Sequence, residues 1–367
     1  SSILGWSESK TITKTLLPGG QSTVGFRYQF KSVFYNNNVA TQANINVKVI
    51  QEGQQIHDIT KSTIIGAKGD IDWTPEQVAY AVTPQDPCVE AVISLAKERV
   101  SGRQFIGYQS GKEYVRPQIK AIYDTLQGLG VSYVSSTSSY TPGVVQRVRL
   151  PYESINNKAG NCADGSILFA SLIENVGLEP IIITLPGHAI VAVREWPQSN
   201  TWTFIETTVI GHNTPFDDAT QRGWNVYSAS AEQARFFYIN DLRKLGYLPR
   251  PQAGLVTCDV KLRSCPDGTQ AGQCSSNKPA YCDMGNLVDK ATVCGCPPGQ
   301  VKNGDSCINE ISFQKTVTIN SGASQWVTSS GQKNIIVTSN VPVDVTLEVD
   351  DESDRYYPHC TLDSIHF

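Results

Sequence analysis

A helix that opens on a cysteine is predicted by the stretch Gly160-Asn161-Cys162-Ala163-Asp164-Gly165, which an apolar run follows. Asn161 is a good N-cap residue, and Asp164, three positions later, completes a pattern similar to a capping box. Gly177 is typical of the residue that follows a helix C-terminus. We therefore expect a helix over residues 162–176.

Three short segments after this helix predict an antiparallel sheet. Residues 181–185 form a largely apolar run of the kind found in buried strands. Residues 189–193 are expected to form a second strand and residues 201–209 a third. Residues 231–244 are expected to form a closing helix. A helix followed by antiparallel strands is an α+β arrangement.

Cys162, His188 and Glu206 supply, in this order, a thiol, an imidazole and a carboxylate. A thiol attacks as thiolate, which the free N–H groups of a helix N-terminus stabilise, and the same groups can hold an oxyanion. His188, at a strand start, can accept the thiol proton, and Glu206 on the neighbouring strand can fix the imidazole tautomer. The set predicts cysteine-based acyl transfer.

Each member of this set also has an ordinary structural interpretation. A cysteine near a helix start is usually a small buried residue, and a histidine in a strand is more often part of a core or surface. Glu206 fits an exposed strand position equally well. The chain has only 5 histidines, so the ordered combination is much less expected by chance than its parts.

Residues from about 75 to 225 resemble a prokaryotic branch of the transglutaminase-like cysteine superfamily. Members of this superfamily use a nucleophilic cysteine in the same way as papain. Three motifs carry the resemblance, with lead-in residues 145–151 and trailing Gly211 and Pro215-Phe216. The resemblance implies a triad of Cys162, His188 and Glu206 on a helix and adjacent antiparallel strands. The family commonly has Asp-Pro-Thr at the third motif, whereas this chain has a glutamate, whose extra methylene changes the reach of the carboxylate. The motifs are Gly160-Asn161-Cys162-Ala163-Asp164-Gly165, Pro186-Gly187-His188-Ala189 and Trp202-Thr203-Phe204-Ile205-Glu206-Thr207-Thr208.

The superfamily contains amide cross-linking enzymes, peptidases, deamidases and members without activity, and fold alone does not choose among them. Active members share a thioester acyl-enzyme, which an amine or water resolves. We favour hydrolysis slightly, because no feature of the sequence marks an amine site. Trp202, Phe204 and Trp224 are candidates for an apolar shield at the thiol, although simple core packing is the commoner role of such residues.

Two further functions remain open from the sequence. The first is a structural, adhesive or filament-forming surface protein that carries a vestigial triad. The second is a carbohydrate-binding surface module, which only scattered aromatic residues favour. The expected partners are accordingly a protein or peptide substrate, or copies of the chain itself in an assembly.

Four modules are predicted along the chain. They are an N-terminal β module at 1–70, a transglutaminase-like α+β domain at 71–250, a cysteine-rich module at 251–310 and a C-terminal β module at 311–367. The two β modules show alternating strand patterns and are expected to resemble sandwiches. The cysteine-rich module resembles an EGF-like disulfide knot and contains Cys258, Cys265, Cys274, Cys282, Cys294, Cys296 and Cys307.

The cluster contains seven cysteines, an odd number, so one of them pairs with Cys88 or Cys360 or stays free. If Cys162 is kept as a thiol, nine of the 10 cysteines are left, so at least one more is unpaired or pairs between chains. Zinc is the alternative to disulfides, but the cluster contains no histidine and no paired Cys-x-x-Cys frame. The cluster predicts an oxidising compartment, so we expect an extracellular or cell-surface location.

The composition excludes several other classes. The net charge of -4 and the lack of a basic stripe give no reason to expect nucleic acid. No apolar run reaches about 18 residues, so no transmembrane segment is predicted. The chain starts at Ser1 without a leader pattern, which favours a processed product. No cofactor is predicted, and the acidic run at 350–354 is expected to be a solvated loop, with calcium binding as the alternative.

Overall fold

A computed structural model describes residues 1–135, 140, 144–212, 214–251, 256–283 and 285–309. It mixes helices and strands, which confirms the predicted α+β class. The chain divides into two compact units, the first of which comprises Ser1–Ser275 and Tyr281–Val288. The predicted C-terminal β module, including the acidic run at 350–354, lies outside the described residues.

The N-terminal part of the first unit is a small antiparallel sheet of order β1-β2-β3. Within the predicted N-terminal β module the long strands begin only at Thr41, and residues 8–29 belong to no strand although their sequence alternates. An alternating pattern does not specify which strand completes its ladder, and the structure forms no ladder over these residues. The elements here are β1 (Ser2–Ile3), α1 (Ser32–Tyr35), β2 (Thr41–Gln51), β3 (Gln54–Ile65) and β4 (Asp70–Ile71).

A helical layer follows. Pro75 occupies the first turn of its helix, where a missing N–H costs nothing, and Gly130 takes a positive φ of 80° after the helix that ends at Leu129. No helix in the described ranges is long and apolar enough to cross a membrane. The elements are α2 (Pro75–Ala81), α3 (Pro87–Ala96), α4 (Val115–Leu129), β5 (Ser132–Tyr133), β6 (Gln146–Arg147), α5 (Pro151–Asn157) and β7 (Ala159–Gly160).

The centre of the unit is a buried helix and a four-stranded antiparallel sheet of order β10-β9-β8-β11. The predicted helix is confirmed and ends one residue early, at Asn175, with Gly177 at φ 77°. The elements are α6 (Cys162–Asn175), β8 (Pro180–Leu185), β9 (His188–Arg194), β10 (Trp202–Ile205), α7 (Phe216–Ala229), β11 (Arg235–Tyr238) and α8 (Ile239–Lys244).

Two predicted elements are wrong in part. The third strand ends at Ile205 instead of residue 209, because the Glu206 carboxylate accepts hydrogen bonds from Thr208 and a 3-10 turn follows over Thr207–His212. The closing helix is confirmed only at Ile239–Lys244. Residues 235–238 form a strand, since their aromatic side chains pack on the sheet beside β8 and tertiary packing overrides a helical pattern.

Both faces of the central sheet are covered. One face packs on α6 together with α3 and α4, through residues such as Ile182, Val191 and Ile205. The other face carries Ile183, Ile190 and a cluster of aromatic rings. Because α6 is apolar on nearly every side, it lies in the middle of the core, and its N-terminal residue is held by rigid neighbours.

Disulfide bonds cross-link the cysteine-rich part of the chain. Cys88 in α3 pairs with Cys258 across 170 residues, which confirms one of the alternatives for the odd clustered cysteine. Cys265 pairs with Cys282, Cys296 pairs with Cys307, and Cys274 and Cys294 are also disulfide-bonded, so these sulfurs are not zinc ligands. Cys360 lies outside the described residues. The last elements are β12 (Ala280–Asp283), β13 (Asn286–Asp289), α9 (Ala291–Cys294), β14 (Gln300–Asn303) and β15 (Ser306–Asn309).

Candidate functional site

The start of α6 is fixed by a reciprocal pair of hydrogen bonds. The Asn161 side chain accepts the Asp164 N–H at 2.9 Å, and the Asp164 carboxylate accepts the Asn161 N–H at 3.0 Å. This capping box satisfies amides that have no partner within the helix. Cys162 is consequently the first helical residue, as the sequence predicts, and its thiol lies at the positive end of the helix dipole.

Asp164 has a second role that the sequence did not reveal. Its carboxylate accepts the Arg149 N–H at 2.7 Å and the Arg149 guanidinium at 2.8 Å, while only 1% of its side chain is exposed. The buried ion pair ties the segment before α5 to the first turn of α6. The prediction of a simple helix-start carboxylate missed Arg149, because no local pattern joins residues 15 positions apart.

His188 and Glu206 meet at the end of the sheet. His188 begins β9 after a tight turn in which Gly187 adopts a φ of 71°. Its Nε2 lies 2.7 Å from Glu206 Oε2. The other carboxylate oxygen of Glu206 accepts the Thr208 N–H at 3.0 Å and the Thr208 hydroxyl at 2.7 Å. The carboxylate is therefore held at both oxygens and fixes the imidazole orientation.

The imidazole also lies near the thiol. The side chains of Cys162 and His188 interact and shift each other's pKa, and Nδ1 is the ring nitrogen that does not bond Glu206. The structure thus brings all three predicted residues together. The side chains of Cys162 and Glu206 are buried, whereas 26% of the His188 side chain is exposed, so His188 is the member that solvent reaches.

The three protonation equilibria support one charge state. Burial raises the pKa of the Cys162 thiol, but hydrogen bonds from His188 and Tyr140 outweigh it and hold this pKa below its ordinary value of 9.0. Burial lowers the pKa of His188, yet the bonds to Cys162 and Glu206 raise it to about 10. Burial alone would raise the pKa of Glu206, but hydrogen bonds from His188 and Thr208 outweigh this effect, so the pKa is lowered. Near neutral pH His188 is therefore an imidazolium and Glu206 a carboxylate, and both shifts favour the thiolate form of Cys162 over that of a free thiol.

Tyr140 is a site residue that the sequence did not reveal. Its hydroxyl lies 2.9 Å from Cys162 Sγ, and its ring packs 4.9 Å from that of Trp73, centroid to centroid. Arg235 donates to the backbone carbonyls of Trp73 at 3.1 Å and of Tyr140 at 3.4 Å. The sequence shows Tyr140 only as one residue of a polar linker, and no local signal connects it with a cysteine in another element.

The aromatic residues predicted as a shield lie elsewhere. The ring centroids of Trp202 and Phe204 lie 5.9 Å apart in the apolar cluster that also contains Ile183, so these two rings have the commoner role of core packing. The Trp224 ring lies 5.4 Å from Phe204 and is 49% exposed. The aromatic side chain against the thiol is Tyr140 instead.

Two glycines allow the site elements to approach closely. A Cβ atom at Gly165 would lie 2.6 Å from the Thr207 hydroxyl, so α6 contacts the turn after Glu206 directly. A Cβ atom at Gly223 would lie 2.9 Å from the Ile205 nitrogen, so α7 contacts the end of β10. The Glu206 N–H donates to the Ala219 carbonyl at 3.1 Å. These contacts position the carboxylate from two sides.

No group of three or more His, Cys, Asp or Glu side chains is arranged to hold a metal ion in the part of the chain that the structure describes. The Asp217-Asp218 pair lies in the first turn of α7, where Asp217 pairs with Arg116 at 2.7 Å.

No protein-family model, curated protein or solved structure matches the chain. The geometry of Cys162, His188 and Glu206 is therefore the basis on which a function is proposed.

Proposed function

We propose that the chain is a cysteine acyltransferase of transglutaminase-like type that acts on amides of proteins or peptides, with hydrolysis as the favoured outcome. The observation that carries the proposal is the placement of Cys162 at the first position of α6, where it interacts with His188, whose Nε2 lies 2.7 Å from Glu206. A thiolate beside an imidazolium is the resting state that such chemistry requires.

In the first half-reaction, each of the three side chains has one role. The Cys162 thiolate attacks the amide carbonyl carbon, and the oxyanion that forms is held by N–H groups of the first turn of α6, which have no intrahelical acceptor. The His188 imidazolium gives its proton to the leaving nitrogen, the C–N bond breaks and a thioester remains. Glu206 keeps the ring oriented and stabilises its positive charge.

In the second half-reaction, neutral His188 takes a proton from water while the oxygen attacks the thioester, and the thiolate of Cys162 leaves. A primary amine in place of water gives a cross-link by the same steps. Water is favoured, since His188 is the exposed member of the set while Cys162 is 4% exposed. The carboxylate product of hydrolysis carries the oxygen of that water.

The family assignment, the EGF-like character of residues 251–310 and a location outside the cell belong to the same proposal. Disulfides at Cys88–Cys258, Cys265–Cys282 and Cys296–Cys307 support an oxidising compartment. The resemblance to transglutaminase-like proteins is supported by the order in which the three residues occur: Cys162 begins a helix, His188 begins a strand, and Glu206 directly follows the next strand.

The proposal is tested with a mixture of peptides rich in glutamine, incubated with the protein in the presence and absence of a fluorescent primary amine. Mass spectrometry distinguishes deamidation, backbone cleavage and amine incorporation. We expect product with the wild type, and none with Cys162→Ala or His188→Ala. Matched controls are His212→Ala and Cys162→Ser, of which the first should be active and the second inactive. Product that persists in Cys162→Ala would overturn the proposal.

One observation favours a second candidate, a structural surface protein with a vestigial triad. Cys162 is 4% exposed and its sulfur lies 2.9 Å from the Tyr140 hydroxyl, so within the described residues the thiol is covered. Under this alternative the wild type forms no acyl-enzyme with any peptide, and Cys162 reacts with alkylating agents only after unfolding.

A further inference from the structure

The buried serine and threonine hydroxyls of α4 and α6 bond the backbone of their own helix. Thr125, Ser166 and Ser171 each donate to the carbonyl four residues earlier, at distances of 2.7 Å, 2.8 Å and 2.8 Å. Ser154 and Thr207 differ, because their hydroxyls are buried and neither has a hydrogen-bond partner among the described residues. A buried hydroxyl without a partner is costly, so both of these groups call for one.

The two hydroxyls line one small cavity beside the candidate site. Ser154 lies in α5 and is 1% exposed, whereas Thr207 directly follows Glu206 and is 6% exposed. A Cβ atom at Gly160, which also lines the cavity, would lie 3.7 Å from the Ser154 hydroxyl. A Cβ atom at Gly165 would lie 2.6 Å from the Thr207 hydroxyl. The two glycines therefore leave open the space on which both hydroxyls border.

The size and the lining of the cavity decide what it can hold. Its volume is about 10 Å³, and one buried water molecule needs about 10–15 Å³ of such space. Of the residues that line it, none carries a charge, so an ion has no counter-charge there. Leu126, Val131 and Leu168 contribute apolar walls, which leaves the two hydroxyls and Asn161 among the polar groups. This setting fits a single water molecule.

We propose that the cavity binds one water molecule, which bridges Ser154 Oγ and Thr207 Oγ1. The water gives each hydroxyl a partner, and two polar contacts are the lower limit for a buried water. It links α5 to the turn that follows Glu206, in addition to the hydrogen bonds that Thr208 makes to the carboxylate. This proposal is independent of acyl transfer, since it holds whether or not Cys162 is reactive.

Thr184 offers a matched comparison. Its hydroxyl is also buried, at 2% exposed, and has no partner in the described part of the chain, but Thr184 is not among the residues that line this cavity. Replacing a partnerless threonine by valine removes a costly buried polar group and should not destabilise the fold. Replacing a threonine that bonds a water loses a hydrogen bond and should destabilise it. The sign of the stability change therefore distinguishes the two situations.

The test is urea unfolding of Thr207→Val, Thr184→Val and Ser154→Ala. We expect Thr207→Val to raise the equilibrium constant of unfolding by about fivefold, as for the loss of one hydrogen bond, and Thr184→Val to leave it unchanged or lower it. Ser154→Ala should also destabilise the chain. The double variant Ser154→Ala with Thr207→Val should lose less than the sum of the single losses, because either change already breaks the bridge.

Thr207→Val that is as stable as the wild type, or more stable, would overturn the proposal. Additive effects of Ser154→Ala and Thr207→Val would also overturn it, as would an equal loss in Thr184→Val. If Thr207→Val does not fold, a high-resolution crystal structure of the wild type decides. One density peak within hydrogen-bond distance of both hydroxyls supports the proposal, and a cavity without density contradicts it.

Discussion

At the residue scale, one proton network explains the charges of the site. Glu206 is anchored by Thr208 at one oxygen and binds His188 with the other, and His188 in turn stabilises the thiolate of Cys162. Tyr140 adds a hydrogen bond to the same sulfur. Since each pKa depends on its neighbour, a change at any one residue should be measurable at the others.

Replacing Glu206 by Gln should lower the pKa of His188 from its raised value of about 10, because the amide stabilises an imidazolium less than a carboxylate does. Activity requires the imidazolium and falls as pH rises through the His188 pKa. The basic limb of the pH profile should therefore move to lower pH in Glu206→Gln.

NMR titration of the histidine ring carbons measures this shift directly. The matched control is Glu195→Gln, which removes a carboxylate that bonds Thr203 instead of a histidine. The control should leave the His188 titration in place. An unchanged His188 pKa in Glu206→Gln would mean that the 2.7 Å contact with Glu206 contributes little to stabilising the imidazolium.

Replacing Tyr140 by Phe should raise the pKa of Cys162 by about one unit, since a hydrogen bond to a charged acceptor contributes about 1.5–3 kcal/mol and one pKa unit is about 1.4 kcal/mol. The ultraviolet absorbance of the thiolate, followed against pH, measures the change. Tyr133→Phe, at a half-exposed tyrosine, is the control. A Cys162 pKa that stays constant in Tyr140→Phe would exclude Tyr140 as a donor to the thiolate.

At the element scale, the parts with local signals were predicted and the parts that depend on tertiary contacts were not. The Asn161 cap and Gly177 mark the ends of α6, and both are local features. The strand at Arg235–Tyr238 was predicted as helix, because its ladder with β8 is formed by residues more than 50 positions away. Tyr140, which contacts the thiol, belongs to no helix or strand and lies in a polar stretch of sequence.

The first turn of α6 should be the most sensitive helix end. Asp164→Ala removes the capping box and leaves the Arg149 guanidinium without its buried partner, so we expect the free energy of unfolding to fall by about 2–4 kcal/mol. Asp218→Ala, in the first turn of α7, is the control and should cost less than about 1 kcal/mol.

Urea unfolding at neutral pH, followed by circular dichroism, compares the Asp164→Ala and Asp218→Ala variants. Similar losses in both would show that only the helix dipole is involved and that the hydrogen bonds of Asp164 contribute nothing of their own. A larger loss in Asp164→Ala supports its role as the link between Arg149 and α6.

At the scale of the whole molecule, the Cys88–Cys258 disulfide closes a loop of 170 residues that contains the complete candidate site. The Cys265–Cys282 disulfide closes only 17 residues. On the chain-entropy model, loss of the long loop should cost about 5 kcal/mol and loss of the short one about 3 kcal/mol. The chain thus relies on a covalent closure around α3, α6 and the sheet.

Double replacement of Cys88 and Cys258 by Ala should consequently destabilise the chain more than double replacement of Cys265 and Cys282. Thermal unfolding under oxidising conditions measures both. The reverse order, or equal effects, would contradict the argument from loop length and would point to packing around the shorter disulfide.

The alternating patterns of the N-terminal part predicted strands correctly where both partners are in the chain, as in β2 and β3. They failed over residues 8–29, because a strand pattern does not specify which neighbour completes its ladder. The same reason limits any prediction of assembly from the sequence. At the site, the order of Cys162, His188 and Glu206 was predictable, whereas the contacts of Tyr140 and Arg149 were not.

The most direct test of the central claim is the pH dependence of iodoacetamide labelling at Cys162 in the native protein, read by peptide mass spectrometry. We predict labelling with a midpoint well below the ordinary thiol pKa of 9.0, lost to higher pH in His188→Ala and retained in His212→Ala. Labelling that occurs only after denaturation, or a midpoint that His188→Ala does not move, would contradict an activated thiolate and leave the chain as a structural protein.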